Sequence, residues 1–180
     1  KDDWQNYGGY FYRKTFYAGH PYALPAGGEK ESLESLSVND LSKHFNAMLV
    51  PSNMAICVFG DFDQKWALSE IKKSFGSIGQ PAMAYNPKET CPRKDHVHAE
   101  RFKEAIPQDV AVLFIGFDGL DFSDPTENMK MDLLDSVLSG MSYPGGRLHK
   151  MLRDKGLVYM VHAVHNPGVE KGAFLIYALT

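Results

Sequence analysis

Apolar and polar positions alternate along this chain with two periods, and the switches between them mark its elements. Leu41, Phe45, Met48 and Leu49 recur at helical spacing behind Ser37 and Asp40, whose S-x-x-D spacing is that of a capping box. This pattern predicts a helix over 38–49. After Pro51 the run Met54–Phe59 is apolar without interruption, as in a strand buried on both faces. Gly60–Asp63 turns the chain into a second predicted helix, 63–75, with Ala67, Leu68, Ile71 and Phe75 inward and Gly76 as its C-cap.

Three prolines and no periodicity between Gly79 and Lys94 read as a long connection between two halves. Val97–Ile106 is expected to be a strand with one polar face, and Val110–Phe117 a fully apolar strand. Asp124, Pro125 and Glu127 occupy N-cap, N1 and N3 of a helix whose apolar stripe is Leu133, Leu134, Val137, Leu138 and Met141. Gly145–Gly146 then open a short amphipathic helix with Leu148, Met151 and Leu152 on one face. Gly156 ends it, and a strand carrying Tyr159 follows. Residues 3–17 are crowded with aromatics, and Tyr10, Lys14 and Tyr17 recur at helical spacing although Gly8–Gly9 weakens a helix there. With few basic neighbours, these rings are expected to pack against the next layer rather than to stack bases. Gly19–Gly28 is a loop. The element order, with its adjacent strand pairs, predicts an α+β fold: a mixed, largely antiparallel sheet covered by helices.

Composition narrows the function more than the fold. With 180 residues, 44% apolar and 23% charged, the chain can bury a sizeable core and fits one domain, or one and a half, better than two. A net charge of −3 gives no reason to expect a nucleic acid or an anionic membrane as partner. No apolar run approaches the roughly 18–20 residues of a membrane span. Cys57 and Cys91 lack CxxC spacing and are open to pairing or to remaining thiols. The chain starts at Lys1 and stops at Thr180 within the apolar run Ala173–Leu179, and so reads as a piece of a longer protein.

Seven histidines invite a metal centre, but no HExxH or HxxEH spacing occurs. His96 and His98 would share one strand face, whereas His162 and His165 would point to opposite faces. No GxSxG surrounds Ser37, Ser52 or Ser142, and Asp61, Asp63, Asp121 and Asp124 lie where turns and caps explain them. No catalytic residue and no metal ligand is therefore assigned. Arg147, Lys150, Arg153 and Lys155 near Tyr159 remain, either as a solvated helix face or as a site where Arg153 and the Tyr159 hydroxyl hold a carboxylate or peptide backbone.

The series GHPYALP (19–25), SLSVNDLSKHF (35–45), PSNMAICVFGDFD (51–63), SFG (74–76), GGRLHKMLRDKGLVYMVHA (145–163) and GAFLIYA (172–178) resembles the insulinase/pitrilysin family of zinc metallopeptidases. That family includes the mitochondrial processing peptidase subunits and the core proteins of the cytochrome bc complex. The likeness covers nearly the whole chain, as the second half of one domain, 1–180, with its linker near 79–94. The resemblance implies a zinc motif, His-x-x-Glu-His, in the first half of the parent's first domain and none here, so that zinc would be bound outside this chain. It implies that Arg153 and Tyr159 match an Arg and a Tyr that anchor substrate peptide in the family's non-catalytic domain. GHPY and GAFLIYA look more like the catalytic domain's second half, where the same pair would be structural. The expected partners are a peptide or protein substrate, the zinc-carrying half-domain or a partner subunit, and a second copy of the chain. The rival expectation is a catalytically inactive paralogue serving as scaffold.

Overall fold

The computed structural model describes residues 4–79, 91, 95–140 and 145–180, with the side chains of Trp4 and Gln5 excepted. The chain divides into two compact units, Lys1–Gly27 with Thr90–Thr180, and Gly28–Glu89. Most of the predicted linker lies outside the described residues.

The larger unit is built on a three-stranded antiparallel sheet. Its strands are β1 (Val112–Asp118), β2 (Met160–Asn166) and β3 (Ala173–Leu179), in the order β1-β3-β2. The fold is α+β. Val112 pairs with Leu179 and Met160 with the same residue, so each register places three side chains side by side across the sheet. One face carries Phe114, Tyr177 and His162; the other carries Ile115, Ile176 and Ala163.

Helix α1 (Trp4–Phe16) covers the first face at β1. It forms despite Gly8–Gly9, because packing outweighs the propensity cost of about 1 kcal/mol per glycine. Gly8 lies under the Phe114 ring, Tyr12 stacks on Phe114 at 5.4 Å and on Phe16 at 5.0 Å, and the rings pack as a layer on the sheet. Gly116 is the strand's counterpart: a Cβ there would lie 2.7 Å from both Phe16 Cε2 and Tyr12 Oη. Absent side chains on both elements let the aromatic layer close.

Helix α5, named for its place in the chain after three helices of the smaller unit, spans Pro125–Ser139 and packs on β2. Asp124 caps it by accepting from the amides of Thr126 and Glu127, and Gly140 ends it in the left-handed conformation at φ 79°. Its packing is the reverse of the expected one. Asp132 and Ser139 meet β2, whereas Leu133, Leu134 and Val137 lie on the exposed side. Polar bonds explain this orientation. Ala111 and Thr180 exchange backbone bonds at 3.0 and 3.3 Å, so alternation along the register leaves the backbone groups of Val161, Ala163 and His165 on the free edge of β2. Fully buried Ser139 accepts from the Ala163 amide and donates to its carbonyl at 3.1 Å, satisfying that residue's edge groups.

Two further expectations are corrected in this unit. Val97–Ile106 is not a strand: Tyr7 donates to Glu104 there, and Val97 and Phe102 are exposed. β1 forms where it was expected but is not buried on both faces, since Leu113, Ile115 and Phe117 are exposed.

The smaller unit contains α2 (Lys30–Ser35), α3 (Val38–Met48) and α4 (Gln64–Phe75). The predicted capping box of α3 is present in both directions, and the Ser37 bonds hold the Asp40 carboxyl below its ordinary pKa. Asp63 caps α4. The apolar faces are the correction: Leu41, Phe45, Leu68 and Phe75 are exposed, and only Ala67 of the α4 face is buried. Met54–Phe59 is extended at its start, with φ −120° and ψ 140° at Met54, but forms no strand, and Phe59 is 91% exposed. A strand needs a ladder partner, and no described segment of this unit supplies one.

Candidate functional site

The segment Gly145–Ala163 is assembled by close backbone approach. A Cβ on Gly146 would lie 2.2 Å from the Leu138 carbonyl oxygen, so only glycine lets the chain turn under the end of α5. The amphipathic helix is a short turn that widens into π geometry over His149–Arg153, where the Asp154 amide reaches the His149 carbonyl at 2.9 Å. Gly156, at φ 69°, ends the turn, with the Leu157 amide donating to the Leu152 carbonyl at 3.0 Å. The Tyr159 amide then donates to the Leu179 carbonyl at 2.7 Å and brings the chain into the sheet.

These bonds place Arg153 and Tyr159 on the surface, on either side of Gly156. Tyr159 is 76% exposed and Arg153 is exposed. Arg147, Lys150 and Lys155 are exposed as well, and none of the four cations is ion-paired to a described residue. The segment therefore presents a cationic rim beside a phenol. A planar guanidinium and a phenol hydroxyl are groups that can bind a carboxylate or a peptide backbone.

The sequence reading missed His149. It stands among basic surface residues, yet it is buried, and its Nδ1 has no hydrogen-bond partner among the described residues. Burial lowers its pKa below the ordinary value, the charges of Arg153 and His162 add to the effect, and Asp154 opposes them. Only the i, i+3 spacing of His149 with Leu152, on the inner side of the turn, signals it.

The other histidines are dispersed. His96 stacks on Phe16 at 4.4 Å, and its Nδ1 lies 2.8 Å from Asp118. His162 and His165 take opposite faces of β2, with His165 Nδ1 3.2 Å from Asp132 on α5. Among the described residues no three His, Cys, Asp or Glu side chains converge as metal ligands. The described residues therefore do not fit a zinc centre. Cys57 and Cys91 are both free and exposed.

Residues 35–180 match the family described as the peptidase M16 inactive domain. None of the curated proteins compared with the chain matches it. Among the solved structures that share its fold are the following two. One is the peptidase M16 inactive domain from Pseudomonas fluorescens, with 22% identity and a TM-score of 0.77, aligned over 96% of this chain. The other is a protease from Helicobacter pylori, with 18% identity and a TM-score of 0.82 over 93% of this chain. The chain spans 40% of the length of each.

Proposed function

The chain belongs to the peptidase M16 inactive-domain family, and from that premise we propose that it is one half-domain of a zinc-dependent peptidase, supporting the chamber and holding substrate peptide. Zinc, in this reading, is bound by the parent protein outside this chain. Arg153 and Tyr159 are the peptide-binding residues. The observation that carries the reading is their placement: two exposed recognition groups flank the Gly156 turn, on a rim of cations without described partners. In the intact protein, Arg153→Ala should weaken peptide binding about tenfold or more, the scale of a charge-assisted hydrogen bond, with little change in stability. Unchanged peptide affinity in the folded variant would overturn the assignment.

A second reading, a catalytically inactive subunit acting as scaffold, is favoured by the family's own description as an inactive domain. Reconstitution separates the two. Mixing the chain with a half-domain carrying His-x-x-Glu-His, in the presence of zinc, should give peptide hydrolysis if this chain completes a working chamber. A stable but inert complex would select the scaffold.

A further inference from the structure

The larger unit contains an open cleft of ~670 Å³ between α1 and the β2–β3 turn, within the range of about 300–1,000 Å³ typical of small-molecule sites. Part of its wall is aromatic. Phe114, Tyr12, Tyr17 and Tyr22 line it, and successive rings touch at 5.4, 6.4 and 5.5 Å. The far wall is fixed by hydrogen bonds. The Glu170 amide donates to Tyr22 Oη at 3.0 Å, the Tyr22 amide donates to His20 Nδ1 at 3.1 Å, and a Cβ on Gly168 would meet Tyr22 Oη at 2.6 Å. Gly9 opens the near wall, since no atom lies within 4 Å of where its Cβ would be.

Among the described residues of this lining, Arg13 is the one ionic side chain. It is half-buried, and among the described residues it has no carboxylate or other hydrogen-bonding partner. The planar fork of a guanidinium suits a carboxylate. We infer that this cleft binds a carboxylate attached to an aromatic body, with Arg13 on the carboxylate and the tyrosines against the ring. A peptide's C-terminal phenylalanine and a free aryl acid share this chemistry. The site is separate from Arg153 and Tyr159, so it stands or falls independently of their role.

The test is calorimetric titration of the 180-residue chain with acetyl-Gly-Gly-Phe, its C-terminal amide, and 3-phenylpropionate. The free acid is expected to bind at least tenfold more tightly than the amide, and Arg13→Gln should bring the acid down to the amide's affinity. Gly9→Leu, which projects into the cleft and favours the helix, should abolish binding while circular dichroism and Tm are retained. It keeps the test decisive even if Arg13→Gln does not fold. Phenylpropionate binding within about threefold of the tripeptide assigns a free acid, and binding about tenfold weaker assigns a peptide terminus. Equal affinity for acid and amide, no binding of either at about 5 mM, or full binding by Gly9→Leu would overturn the inference.

Discussion

Gly8, Gly9 and Gly116 carry no side chain, but their surroundings make opposite predictions for the same substitution. Gly9 faces open space, so Gly9→Ala removes only the entropic cost of a helical glycine and should stabilise the chain by about 0.5–1 kcal/mol. Gly116→Ala drives a methyl to 2.7 Å from Phe16 and Tyr12, and should cost about 1–3 kcal/mol as α1 is pushed from β1. Gly8→Ala, at 3.0 Å from one Phe114 ring carbon, should fall between them. Thermal unfolding of the three variants checks the order. His149 supplies a second prediction at this scale. Its pKa is lowered in the fold, so the unfolded chain takes up its proton first as pH falls. The stability it contributes is complete above the ordinary value of about 6.5 and is lost as pH drops below that toward the folded value. His149→Leu should therefore lose less Tm between pH 7.5 and 5 than the parent chain; an identical loss would remove His149 as the cause.

Elements whose signals are local were legible in the sequence. The Ser37–Asp40 box, the Asp63 cap and the Asp124-Pro125 start lie within one helical turn of the backbone groups they satisfy, and each was found where spacing placed it. Asp124→Ala should accordingly cost about 0.5–2 kcal/mol, read from chemical denaturation, because two amides lose their acceptor. What a stripe packs against was not legible. The Leu133–Val137 side of α5 looked like its inner face, yet the bonds from Ser139 to the β2 edge and from Asp132 to His165 turn it outward. Met54–Phe59 and Val97–Ile106 have strand composition but no ladder, since pairing depends on distant segments that periodicity does not reveal. The site divides in the same way. Arg153 and Tyr159 were proposed from their motif, whereas the Arg13 cleft joins α1 to a turn more than 150 residues away and leaves no local mark.

At the scale of the whole molecule, the exposed apolar surface becomes a property of the chain in solution. In the larger unit, α5 exposes Met129, Leu133, Leu134 and Val137 with Leu133 at 65%, and β1 exposes Leu113, Ile115 and Phe117. At about 25 cal/mol per Å² of apolar area removed from water, covering such side chains outweighs any repulsion from a net charge of only −3. Contiguous exposed apolar patches mark interaction surfaces or sites of association. The isolated chain is therefore expected to self-associate as its concentration rises, in sedimentation velocity at micromolar concentrations. Leu133→Glu with Val137→Lys places an i, i+4 ion pair on the stripe without touching the Ser139 or Asp132 contacts. This double variant should sediment as a smaller species with its Tm changed by no more than a few degrees. If it still associates as the parent does, α5 is not the surface involved, and the exposed face of β1 is the next to be tested, by Phe117→Lys.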